Sequence, residues 1–126
     1  MALDKFHLTL LVGITLLSSC DKIKTRKYAG TYECSKHSYW WMMGEGSSDT
    51  TYIVDFVVER DDYEIILPNG SRIHADDLRN EQMHEIGSKP DFYQSIQFIK
   101  DSIYYNYYSG GLGGGSGADY AGVKKK

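Results

Sequence analysis

From Tyr28 onward, apolar residues recur at every second position between short clusters of turn formers, the pattern of half-buried β-strands. Thr31 to Trp41 is the first predicted strand. Tyr52, Val54, Phe56 and Val58 alternate with Thr51, Ile53, Asp55 and Val57 and make the clearest one. Glu59-Arg60-Asp61-Asp62 turns the chain, and Tyr63, Ile65 and Leu67 return on one face. Pro68-Asn69-Gly70 predicts a tight hairpin turn, because Asn and Gly tolerate positive φ; Ser71 to Ala75 follows as a short strand. Phe92, Ile96 and Phe98 line one face of a further strand, Lys100-Asp101 turns it, and Ile103, Tyr105 and Tyr107 line its partner. Tyr120 to Lys124 closes the sheet. Between these, Asp76 to Gly87 carries only Leu78, Met83 and Ile86, and fits either a helical turn or an irregular strand. No segment keeps a 3.6-residue apolar period over three turns. The expected fold class is all-β: an antiparallel meander of six or seven strands, curled into a small barrel or sandwich.

The first residues have another texture. Leu8 to Leu17 is a ten-residue apolar run behind a short head with one lysine, Lys5. At about 1.5 Å per residue it spans half a bilayer core, which suits a signal-peptide core rather than a transmembrane helix. It leads into Leu17-Ser18-Ser19-Cys20, which resembles the lipobox of bacterial lipoprotein precursors. That resemblance implies cleavage before Cys20, a thioether-linked diacylglycerol on its sulfur, and often a third acyl chain on the new amino terminus. Each buried methylene contributes about 0.8 kcal/mol, so two or three chains hold durably. The expected organisation is a lipoprotein signal peptide at 1–19, the lipidated Cys and a basic tether at 20–27, and one β domain at 28–126 with a glycine-rich loop at 109–118. The implied location is the bacterial cell envelope, membrane-anchored. Asp21 sorts such proteins between membranes in some bacteria and leaves inner or outer membrane open here.

Removal of residues 1–19 leaves 107 residues, enough for one compact domain. The net charge of −3 argues against nucleic acid as a partner. Charge is uneven: residues 49–91 hold eleven acids against four bases, while Lys22, Lys24, Arg26 and Lys27 cluster beside the anchor. That cluster is either a solvated spacer or a contact with anionic headgroups. With Cys20 acylated, Cys34 is left as a small buried hydrophobe; without acylation, a Cys20–Cys34 disulfide is the alternative.

Catalytic and cofactor motifs are weak. Gly110 to Gly117 lacks the Lys-Ser/Thr of a Walker loop, and its dinucleotide-like spacing has no room for the helix that would follow. Cys34 and His37, three apart, fall on opposite faces of a strand, and no even-spaced zinc pair occurs. Asp61-Asp62 and Asp76-Asp77 suit turns. The expectation is a non-enzymatic protein without cofactor or metal.

Aromatic excess is the more informative feature. Trp40-Trp41-Met42-Met43 and Tyr104-Tyr105-Asn106-Tyr107-Tyr108 put bulky residues on both faces of their strands. Trp40, Trp41, Tyr104, Tyr105, Tyr107 and Tyr108 are the expected binding surface for an envelope protein or glycan, against packing across core and rim. Gly30-Thr31-Tyr32 and Asp61-Asp62-Tyr63 are also similar to the Gly-x-Trp and Thr-Asp-Tyr positions of lipocalins, with Tyr for Trp and Asp for Thr. The mature chain is short for eight full strands plus a helix. That resemblance implies a second function: a closed sheet carrying a small apolar ligand.

Overall fold

A computed structural model of the protein describes residues 24–126 except Ser88. The expected signal peptide, Cys20 and residues 21–23 lie outside the described residues.

The domain is all-β and antiparallel, as the alternation predicts. Its strands are β1 Gly30–Met42, β2 Gly46–Arg60, β3 Glu64–Ile66, β4 Arg72–His74, β5 His84–Glu85, β6 Phe92–Ile99, β7 Ser102–Gly111 and β8 Gly114–Lys124. They form one sheet ordered β4-β3-β2-β1-β8-β7-β6-β5. The described chain therefore begins and ends mid-sheet, with β1 beside β8, and each half meanders outward. The eighth strand, beyond the expected six or seven, is β5, only two residues long, in the stretch from Asp76 to Gly87. The sheet curls into a half-barrel. Among the described residues no backbone ladder joins β4 to β5, so the barrel is open at that seam.

The core lies on the concave face at one end. Tyr32 and Cys34 of β1 meet Phe56 and Val58 of β2, Ile65 of β3, Ile96 and Phe98 of β6, and Ile103 of β7, all nearly inaccessible to water. Strand alternation puts all of them on one side of the pleat. Tyr63 departs from the expected pattern and is exposed. Asp61 Oδ1 accepts the N–H groups of Tyr63 and Glu64, so the chain is still turning at Tyr63 and the strand starts one residue later.

Two short helical pieces cap the core. Residues 24–28 form a helical turn. Thr25 and Tyr28 are buried, the Tyr28 ring lies 4.8 Å from Phe98, and its hydroxyl donates to the Leu78 carbonyl at 3.2 Å. The Tyr32 hydroxyl in turn donates to the Tyr28 carbonyl at 2.7 Å, and Lys24 pairs with Asp76 at 3.1 Å. The expected basic tether is thus docked on the body from residue 24 onward. Beside that turn, Ala75–Glu81 is a 3-10 segment with Leu78 buried, and β5 follows, so both readings of the stretch from Asp76 to Gly87 occur in series.

The expected glycine-rich loop at 109–118 is almost wholly strand. β7 runs to Gly111, Leu112-Gly113 turns, and β8 starts at Gly114. Glycine disfavours strand, but β1 supplies a ladder partner from Tyr39 opposite Gly117 to Met42 opposite Gly114. The tips of the β1–β2 and β7–β8 hairpins are joined by Met43 N–H donating to the Gly113 carbonyl at 3.0 Å.

Candidate functional site

Alternation divides the six predicted aromatic residues between the two faces of the sheet. Trp40, Tyr105 and Tyr107 share the concave face with Tyr32 and Cys34; Trp41, Tyr104 and Tyr108 lie on the convex face. The single surface expected from sequence is therefore two. Trp40 sits at the far end of the concave face between Ser48 and Ser116, 44% exposed. Tyr104 stands apart on the convex face beside Gln97 and Ala121, exposed.

On the convex face the rings collapse onto glycine. Gly117 lies between Tyr39 and Tyr108 in the ladder, and those two rings are within 20° of parallel with centroids 6.5 Å apart. Trp41 Nε1 donates to the Tyr108 hydroxyl at 3.2 Å above Gly115. A Cβ on Gly117 would come within 2.6 Å of the Tyr39 hydroxyl, and one on Gly115 would overlap that of Tyr108. The missing side chains are the floor on which these rings rest. Beside them His37 Nε2 lies 2.9 Å from Asp49 Oδ2, with Asp119 3.8 Å from Nδ1. The Asp49 carboxylate holds the imidazole above its ordinary pKa.

On the concave face the rings enclose space. A cleft of about 510 Å³ is lined by Phe56, Phe92, Tyr105, Tyr107, Tyr120, Val54, Lys36 and the Pro68-Asn69 turn. Phe56 packs 5.2 Å from both Tyr105 and Tyr120, and Tyr105 lies 5.6 Å from Tyr120, all at steep mutual angles. Phe56 and Tyr120 meet edge to face and Tyr105 is tilted against both, so each ring props the next. The Tyr105 hydroxyl donates to Gln94 Oε1 at 2.8 Å, which also accepts from Asn69 Nδ2 at 3.1 Å. Gln94 Nε2 donates to Ser71 Oγ at 3.3 Å. This amide network ties the β3–β4 turn to β6 and β7 across the open seam, by side chains where no backbone ladder exists. Gln94 is buried and satisfied, and burial pushes the Tyr105 phenol up to about 12.

Lys36 stands at the side of this cleft. Its ammonium lies 5.5 Å from the Tyr52 ring centroid and 5.3 Å from that of Tyr120. Hydrogen bonding to the hydroxyls of Tyr120 and then Tyr52 holds it above the usual lysine value, and Lys36 lowers Tyr52 in return.

The remaining sequence candidates take structural places. Cys34 is a buried free thiol, pushed up to about 11 by burial and then by Asp55, against Gly122 of β8. Asp61 pairs with Arg72 at 2.6 Å and Asp76 with Lys24. No three His, Cys, Asp or Glu side chains among the described residues are placed to hold a metal ion. Among those residues no helix is long and apolar enough to cross a membrane.

Sequence reasoning missed Lys36, Asn69, Gln94 and Tyr120 as site residues. One signal was available: Lys36 has the same parity as Tyr32 and Cys34, so a cation falls on an otherwise apolar strand face. Asn69 was legible as a turn residue, not as the donor to Gln94 that the turn makes it. No family model, curated protein or solved structure gives a significant match to this chain.

Proposed function

We propose that the protein is a non-catalytic binding module, tethered through acylated Cys20 in the bacterial envelope, that holds a small, largely apolar ligand in the concave cleft. The observation that carries this reading is the cleft itself: about 510 Å³ walled by aromatic rings, with one fixed polar edge at Asn69, Gln94 and Tyr105. Ligand sites of this kind are concave, mainly apolar and of about 300–1,000 Å³, with a few placed polar groups that set orientation. The half-open sheet leaves the cleft a direct entry for such a ligand.

The lipobox-like Leu17 to Cys20 supports the tether, and the turn at 24–28 is docked on the body. Four residues of chain reach at most about 14 Å, so the capped end of the half-barrel would sit close to the headgroups. Cys20→Ala is expected to release the protein from the membrane fraction; retention there would remove the anchor from the account.

For the cleft, the neutral probe N-phenyl-1-naphthylamine is expected to bind the full chain at one saturable site. Val54→Trp, which fills the cleft from its wall, should abolish that binding, with the smaller Val54→Phe as a check that the fold survives. Equal binding by wild type and both variants would refute the cleft as the site. A second reading, recognition of an envelope protein or glycan by the convex rings, is favoured by the near-parallel Tyr39 and Tyr108. It predicts lost capture of envelope material by Trp41→Ala with probe binding intact.

A further inference from the structure

We infer that the ligand of the concave cleft is an amphipathic anion: an apolar body among the rings and one oxyanion, such as a carboxylate, against Lys36. This rests on the cleft reading above and adds the chemical class of the occupant. Strand parity turns Lys36 to the cleft side of β1, and its ammonium is flanked by the rings of Tyr52 and Tyr120. No carboxylate among the described residues pairs with it, although the chain carries 17 acids. Lys24 and Lys125, by contrast, hold Asp76 and Asp55 at 3.1 and 2.8 Å. Asp55 does border the cleft, but its strand position turns the carboxylate to the opposite face, where Lys125 holds it.

The consequence is electrostatic. Phenol rings solvate a cation without neutralising it, so Lys36 keeps a full positive charge at the edge of an aromatic space. A wholly apolar ligand would strip water from that ammonium and return nothing, which is unfavourable. An anion at the same place converts the cost into a charge-assisted contact, stronger than in bulk water. The volume limits the occupant to a single drug-sized molecule, such as an aryl or medium-chain carboxylic acid, rather than a polymer.

Two fluorescent probes with the same ring system separate the claims: neutral N-phenyl-1-naphthylamine and its sulfonate, 8-anilinonaphthalene-1-sulfonate. On the full chain the sulfonate is expected to bind more tightly than the neutral probe. Lys36→Met should weaken the sulfonate about tenfold without weakening the neutral probe, while Lys36→Arg restores most of the loss. Decanoate should displace the sulfonate from wild type, and cosedimentation with phosphatidylglycerol vesicles should be equal for wild type and Lys36→Met. If the neutral probe binds but Lys36→Met leaves the sulfonate unchanged, this inference is overturned and the cleft stands. If neither probe binds, the cleft reading fails first and takes this one with it. A loss on Lys36→Met confined to vesicle binding assigns the charge to a membrane surface and also overturns the inference.

Discussion

On the convex face Tyr39, Trp41 and Tyr108 lie over Gly115 and Gly117, whereas on the concave face Phe56, Tyr105, Tyr107 and Tyr120 stand around a cleft. Strands β1, β7 and β8 contribute to both. The difference lies in the ladder neighbour. A ring beside a glycine has bare backbone to lie on, and it does so; a ring beside another ring is propped upright. Tyr105 opposite Tyr120 is the propped case and Tyr108 opposite Gly117 the collapsed one. Aromatic content by itself therefore does not mark a binding surface. What marks one is aromatic content that the fold leaves standing.

Glycine substitutions break this contrast hardest. Gly122 is the concave glycine opposite Cys34, and a Cβ there would overlap the Glu33 carbonyl oxygen and lie 2.6 Å from Cys34 Cα and Sγ. Backbone must shift to admit it, so Gly122→Ala is expected to cost about 3 kcal/mol or more, read as a lowered urea midpoint at unchanged slope. On the convex face, Gly117→Ala brings a Cβ within 2.5 Å of the Tyr107 carbonyl oxygen and 2.6 Å of the Tyr39 hydroxyl. The Tyr39 ring can swing away but the Tyr107 carbonyl is backbone and must also give, so about 2–3 kcal/mol is expected. Neutral-probe affinity should stay at the wild-type value, since the cleft is on the other side. A parallel fall in affinity would show that the two faces do not act independently.

Smaller effects sharpen the comparison. Tyr105→Phe keeps the concave ring and removes its donation to Gln94, at a cost of about 1–2 kcal/mol because the buried Gln94 oxygen loses a partner. Thermal melting of the variant measures it. Least of all is the His37 contribution on the convex face. Asp49 raises His37 in the folded state, so its stabilisation is complete below the ordinary imidazole value of about 6.5 and fades as pH rises through the raised one. The imidazole resonances should titrate above the ordinary value, and Asp49→Asn should bring them back toward it.

Period-two alternation was enough to read the all-β class, the Pro68-Asn69-Gly70 turn and the concave parity of Ile96, Phe98, Ile103 and Tyr105. It did not reveal the strand character of Gly114 to Gly117, since that conformation comes from β1 pairing and from rings supplied by other strands. It also read the aromatic runs as one surface, although the same alternation separates Trp40 from Trp41 and Tyr107 from Tyr108. The cleft itself was not legible. Its polar edge joins Asn69, Gln94 and Tyr105 from separate strands and turns, and its charge comes from Lys36 of β1, beside Tyr120. Only the order β2-β1-β8-β7-β6 brings these together, and strand order leaves no trace in local periodicity.

The most direct measurement is a backbone and side-chain chemical-shift map of the protein titrated with N-phenyl-1-naphthylamine. Saturable shifts are predicted at Val54, Phe56, Asn69, Gln94, Tyr105 and Tyr120, with Tyr39, Trp41 and Tyr108 unmoved. Shifts confined to those three convex rings, with the concave set silent, would contradict it.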